Sequence, residues 1–289
     1  MINWFPGHMA KAKNQLEKNL KMIDLVIEIL DARIPETSSN PFLIKMLNGK
    51  PVLKVFNKSD LVNNNNFKKW ETYFKENNIN YLKLNAKQSS VKNQLINKIK
   101  EVLKDKIEKD LKRNIKNPQF HVCVIGIPNV GKSTFINNIL NKSSAKTGNK
   151  PGLTKGQQWI KINEFFYLLD TPGILYPKIN DEAAVVKLII CNNIKVDIIP
   201  KPEYVYKIIG WLYENNFNFL IFKYNLQESE IAKLKLNNDD IEEFYVHLTL
   251  LILEKKYKNL ELITAYQKII YDMQNDSNHI LNFELPISN

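Results

Sequence analysis

Gly126-Ile127-Pro128-Asn129-Val130-Gly131-Lys132-Ser133 lies between an apolar run, Phe120 to Ile125, and a stretch of helical periodicity. Its spacing is that of a phosphate loop, and a strand before with a helix after is the setting such a loop needs. The glycines let backbone N–H groups converge on phosphate oxygens. The lysine brings a mobile positive charge to the outer phosphates, and the hydroxyl after it is a hard ligand for Mg2+. Asn129, Val130, Gly131, Lys132, Ser133 and Thr134 are therefore the expected phosphate-binding residues. With only nine glycines in 289 residues, this pattern rarely arises by chance.

Downstream, Asp170-Thr171-Pro172-Gly173 follows a second apolar run, Phe165 to Leu169. A carboxylate there would hold Mg2+ through water, and the Gly173 N–H would sense the terminal phosphate. Between the two segments a polar loop, 141–156, carries Thr154, whose hydroxyl could reach the metal while a third phosphate is present. Upstream, Asn57-Lys58-Ser59-Asp60 follows the apolar run Pro51 to Phe56. A carboxylate accepts two hydrogen bonds in a fork, which matches the ring N–H and exocyclic amine on one edge of guanine; adenine offers no such pair. Asp60 is thus the expected specificity residue. Asn57 and Lys58 should buttress the loop and cover the ring, and Asn85-Ala86-Lys87 can offer backbone N–H to the guanine carbonyl. The ligand expected is GTP or GDP, and an ATPase reading conflicts with Asp60.

The order of these segments sets the architecture. Ras-like GTPases carry the phosphate loop first and the base-reading segments last, whereas here 57–60 and 85–87 precede 126–133 and 170–173. The same sheet can form if residues 113–119 link ends that are otherwise open, which is a circular permutation. Strand-like and helix-like stretches alternate from Ile23 onward, including a long amphipathic helix ending near Lys112, as in a mostly parallel sheet with helices on both faces. Beyond Lys178 only helical patterns appear: Glu182 to Asn192, Glu203 to Tyr213, Asp240 to Lys256 and Leu260 to Gln274. The fold class expected is α/β, a circularly permuted Ras-like GTPase domain over 1–178, followed by a small all-helical domain over 179–289.

The net charge of +11 is unevenly spread. Residues 1–180 hold 30 Lys/Arg against 14 Asp/Glu, or +16, and residues 181–289 hold 11 against 16, or −5. A basic first part suits a phosphate-rich partner, although solvated lysines alone would give the same count. Arg33 and Arg113 are the only arginines and so the only cis arginine-finger candidates. No apolar run approaches the roughly 18 residues that span a bilayer, and the start lacks the order of a secretory signal, so the protein is expected in the cytoplasm with no membrane partner. Neither Cys123 nor Cys191 has ligand spacing, and His121, His247 and His279 form no zinc pattern.

With these residues in view, the chain resembles the ribosome biogenesis GTPase A family of circularly permuted GTPases over nearly its whole length. The resemblance rests on Trp4-Phe5-Pro6-Gly7-His8-Met9, Asp31-Ala32-Arg33, Asn57 to Asp60, Gly126 to Ser133, Pro151-Gly152 with Thr154, and Asp170 to Gly173. It implies a GTPase stimulated by ribosomal particles, acting late in large-subunit maturation, with Mg2+ and with K+ near Asn129. It also implies that the helical domain contacts RNA or the ribosome, with the large-subunit precursor as partner of a monomer. Lys155, Gly156 and Asp276 to His279 depart from the family pattern. Ile174 stands where Ras-like GTPases carry the glutamine that orients water, so another group must do so; His8 is the candidate, against a packing role beside Trp4. Two other classes stay open at this point, a GTP-stabilised scaffold without turnover and a GTPase acting on another RNA.

Overall fold

The structure, a computed structural model, describes residues 2–3, 14, 16–115, 118–140, 159–170, 178–179, 181–194, 202–275 and 283–286, with backbone alone at 2, 3, 170 and 178. The chain divides into two compact units, one of residues 1–181 with 280–289 and one of residues 182–279. The described residues 283–286 thus belong with the first unit rather than with the helices that precede them in sequence.

In the first unit the strands are β1 (Ile2–Asn3), β2 (Leu25–Asp31), β3 (Val52–Asn57), β4 (Tyr81–Lys83), β5 (Phe120–Ile125), β6 (Trp159–Lys161), β7 (Phe166–Asp170) and β8 (Lys178–Ile179). β1 and β8 form a short antiparallel pair, and the other six make one sheet in the order β4-β3-β2-β5-β7-β6. Its first four pairings are parallel and β6 runs antiparallel to β7. β2 lies in the middle and is buried along its whole length, which is why its sequence reads as a nearly continuous apolar run, broken by Glu28, rather than an alternation.

Residues 16–19 are helical before β2, and the described helices after it in this unit are α1 (Pro41–Met46), α2 (Asn64–Glu76), α3 (Val91–Val102), α4 (Lys104–Lys112) and α5 (Lys132–Ile139). Val26 and Leu30 share a face of β2 because side chains repeat every second residue. Val26 packs with Leu16, Leu43, Cys123 and Leu169, and Leu30 packs with Phe56, Phe67, Trp70 and Phe74. One buried acid interrupts this strand. Glu28 is 1% exposed; burial pushes its carboxyl above the usual range, against the pull of Lys54, the Asn40 N–H and the Ser39 hydroxyl. The single long helix expected up to Lys112 is in fact α3 and α4, joined at Leu103. Hydrogen bonds run on through the joint, from Leu103 N to Ile99 O and from Ile107 N to Leu103 O. α4 buries none of its residues and is tied to the start of β2 at the surface, by the ion pair of Lys106 with Asp24.

The second unit is helical throughout its described residues: α6 (Glu182–Ile190), α7 (Pro202–Asn215), α8 (Phe217–Tyr224), α9 (Glu228–Leu236), α10 (Ile241–Lys256) and α11 (Leu262–Asn275). The apolar stripe of α10 is core, with Phe244, Leu248 and Ile252 wholly buried. α8 and α9 have no counterpart in the sequence reading. Each is short, and they are separated by Asn225 in left-handed backbone and a capping box between Gln227 and Glu230. Among the described residues no helix is long and apolar enough to cross a membrane.

Candidate functional site

Parallel strands bring their C-terminal ends to one edge of the sheet, and the sequence motifs sit on the loops leaving that edge. β5 ends at Ile125, opposite Glu28 of β2, and the phosphate loop begins at the next residue. Gly126 passes so close to β2 that a Cβ there would lie 2.6 Å from the Ile29 carbonyl oxygen. Gly131 has φ +97, and a Cβ on it would collide with the side-chain amide of Asn57. The loop between them turns through Asn129 at φ +58. Lys132 opens α5 and is 8% exposed; its ammonium folds back to donate to the Gly126 carbonyl at 3.0 Å and the Ile127 carbonyl at 3.1 Å. Ser133 on the first turn is exposed and Thr134 half-buried. A helix start of this kind presents backbone N–H groups and the positive end of a dipole, which suits phosphate.

The base-reading segments are bonded directly to this loop. Asn57, the last residue of β3, is 3% exposed. Its Nδ2 donates to the Val130 carbonyl at 2.8 Å, and its Oδ1 accepts the Ala86 N–H at 2.8 Å. One side chain therefore ties together residues 57–60, 85–87 and 126–133. Asn138, on α5, adds a second tie by donating to the carbonyls of Ala86 at 3.0 Å and Gln88 at 2.8 Å. Asn85 accepts the Lys87 N–H at 2.9 Å, closing the tight turn that carries Ala86. Asp60 occupies the 3-10 turn Ser59–Leu61, and both Asp60 and Lys87 are exposed on the rim. Asp170 ends β7 in register with Val124, two residues before the phosphate loop, which is its backbone position and all that is described of it. Thr154, Gly173, His8 and Trp4 to Met9 lie outside the described residues.

Asp31 acquires a role that sequence reading missed. It is fully buried at the end of β2, where its carboxylate receives the Arg33 fork at 2.9 and 2.8 Å and the Lys58 ammonium at 2.8 Å. Lys58 sits in left-handed backbone at φ +61, an unfavourable conformation for a side chain with a Cβ, and the ion pair helps hold it there. Burial alone would raise the Asp31 carboxyl, but the two cations outweigh it and hold the group well below the usual carboxylate range. Arg33 is committed to this pair with its side chain 11% exposed, so as an arginine finger it would first have to leave Asp31. The only hint in the sequence was a carboxylate and an arginine two apart at a strand end.

A prediction follows for Asp31→Asn. Removing one partner from a buried ion pair costs about 3–5 kcal/mol. The folded-state pKa of Asp31 is depressed, so the wild-type advantage is complete above the ordinary value of 3.8 and fades as pH falls below it toward the lower folded value. Urea melts of the two proteins at pH 7 and at the lowest pH that leaves both folded should show the gap narrowing with acid; a constant gap would mean Asp31 is not ionised in the fold.

A phosphate loop at the sheet centre, bonded to an Asn-Lys-x-Asp turn that precedes it in sequence, defines a circularly permuted GTPase. Comparison with known proteins agrees. Residues 121–209 match the family described as 50S ribosome-binding GTPase. The chain is 40% identical over 227 residues to Ribosome biogenesis GTPase A of Bacillus pumilus, spanning 78% of this chain and 80% of that protein. With the Bacillus licheniformis protein of the same name it shares 41% over 236 residues, 81% and 83% of the two chains. GNP-bound YlqF from T. maritima has the same fold, with a TM-score of 0.60 at 22% identity, covering 96% of this chain and all of that one. The chain belongs to the ribosome biogenesis GTPase A family, and it is a GTPase.

Proposed function

We propose that this GTPase binds the precursor of the large ribosomal subunit in the cytoplasm as a monomer, assists its late maturation, and hydrolyses GTP to GDP and phosphate as the step that releases it. The observation that carries the nucleotide half is the Asn57 side chain, bonded at once to the phosphate loop and to the base loop. The partner half rests on the family and on charge. Residues 1–180 carry +16, enough to meet phosphate-rich RNA, and the helical unit contacts the ribosomal particle as a second surface.

Within the site, Asp60 reads the guanine edge, Lys58 covers the ring and the N–H of Ala86 or its neighbours Asn85 and Lys87 meets the carbonyl. Backbone N–H groups of Asn129 to Thr134 cradle the phosphates, and Lys132 shifts its ammonium from the loop carbonyls toward the outer phosphate oxygens. For Mg2+ the donors fit: the exposed Ser133 hydroxyl on the helix start is a hard oxygen ligand and Asp170, at the end of β7, would act through water, with the Thr154 hydroxyl joining while GTP is intact and the Gly173 N–H meeting the terminal phosphate. Mg2+ there would neutralise charge on the outer phosphates, and Asn129 would take K+. Lys132, Thr154 and His8 form the catalytic set, with His8 orienting the attacking water in place of the glutamine that Ile174 replaces. Loss of the terminal phosphate then frees the segment after Asp170, which leads into the helical unit.

Multiple-turnover hydrolysis measured alone and with immature large subunits tests this. Turnover should rise on the particle by at least about tenfold, and His8→Ala should remove most of the rise without changing GTP affinity. Negligible turnover both with and without particles would favour a nucleotide-stabilised scaffold, and equal measurable turnover would remove the particle as its activator.

A further inference from the structure

The chain rejoins its first unit at Phe283-Glu284, downstream of the helical unit, and the contacts it makes there are specific. The Glu284 carboxylate accepts the Glu36 N–H at 2.8 Å, the Thr37 N–H at 3.2 Å and the Thr37 hydroxyl. The Phe283 N–H donates to the Arg33 carbonyl at 3.2 Å, and the Glu284 carbonyl accepts the indole N–H of Trp70 at 3.2 Å. Phe283 itself is buried. Residues 34–38 form a helical turn, with Ser38 N bonded to Ile34 O, and two successive N–H groups at a turn's start are the place where a carboxylate acts as a cap.

Those two anchor points flank the base-reading turn. Arg33 to Thr37 follows Asp31, which holds Lys58; the Ser38 hydroxyl accepts the Asp31 N–H at 3.0 Å and so closes the turn onto that same residue. Trp70 lies on α2, which starts just after Asp60, and packs in one cluster with Ala32 and Val62 on either side of the Asn57 to Asp60 segment. The tail therefore staples the turn after β2, whose Asp31 holds Lys58, to the helix that follows this segment. The contacts just given are made to the turn after β2 and to α2.

We propose that Glu284 is a positioning residue for guanine recognition: its clasp on Glu36, Thr37 and Trp70 holds Lys58 and Asp60 in place and slows nucleotide release. This rests on the assignment of Lys58 and Asp60 to the base. The clasp acts on that end alone, so the phosphate loop binds phosphate equally well with or without it.

The test compares wild type, Glu284→Ala, Glu284→Gln and Asp60→Ala as full chains. Two ligands separate the ends of the site: fluorescent GDP for dissociation rate, and inorganic tripolyphosphate, which has no base, for affinity by displacement. Glu284→Ala should release GDP about tenfold faster, the loss of a net 1.4 kcal/mol, while tripolyphosphate affinity stays within twofold. Glu284→Gln keeps a carbonyl acceptor for the two amides and should restore most of the slow release. Unchanged GDP release in Glu284→Ala would overturn the proposal, and so would equal weakening of both ligands, which marks a general loosening. If instead Asp60→Ala leaves GDP affinity unchanged, the base assignment itself fails, whatever Glu284 does.

Discussion

Asp60→Asn should lose guanine and gain xanthine. The side chain is exposed on a short turn, so the substitution leaves folding within about 0.5 kcal/mol. The ligand feels it strongly. A carboxylate accepts from both the ring N–H and the exocyclic amine, and hydrogen bonds to charged groups contribute about 1.5–3 kcal/mol each. An amide can accept from one donor but points its own N–H at the amine. GDP affinity should fall about 10²- to 10⁴-fold, two such bonds' worth. Xanthine carries a carbonyl where guanine carries the amine, so the amide N–H then finds an acceptor and preference should invert. Competition between GDP and XDP for the wild type and the variant reads this directly; a variant that still prefers GDP would remove Asp60 from the base pocket.

Gly131→Ala is expected to do most damage at the other end. The added Cβ displaces the Asn57 amide and imposes a strained backbone at φ +97. When that amide moves, the Val130 carbonyl and the Ala86 N–H lose their partner together. Each buried group left unpaired costs about 1–3 kcal/mol and the strain about 1–3 kcal/mol more, giving about 3–9 kcal/mol in all. Melting should drop by on the order of 10 °C and nucleotide affinity by more than about 10²-fold. The mechanism has its own signature. Asn57→Ala makes room for the methyl, so the double variant should be worse than Asn57→Ala alone only by the backbone strain, about 1–3 kcal/mol, a clearly non-additive cycle. Additive losses would show that Gly131 acts through something other than Asn57.

The parts of this site that sequence made legible are those written locally. Phe120 to Ile125 reads as a strand because a β-rich apolar run stops at a glycine, and the structure starts and ends β5 at those same residues. Asn57 to Asp60 was readable as a base-specific turn because four consecutive residues carry the chemistry. The links between segments were not readable. Nothing in the sequence near Asn57 says that its amide will meet Val130 and Ala86, 73 and 29 residues away. Nor does Glu284, in a tail without periodicity, announce a partner 247 residues earlier. The direction of β6 and the β1 to β8 pairing likewise depend on how the chain is routed, which periodicity does not encode. α8 and α9 were missed for local reasons: three phenylalanines, a tyrosine and Ile221 weaken the helical pattern of α8, while α9 is only nine residues long and buries one of them, Ile231.

Four stretches far apart in sequence are claimed to close around one guanine nucleotide, and equilibrium displacement of fluorescent GDP by unlabelled GDP and by ADP measures that claim most directly. Because a buried or rim carboxylate without its two donors rejects the wrong base, ADP should compete at least about 10³-fold more weakly. ADP competing as well as GDP would contradict the account at its root.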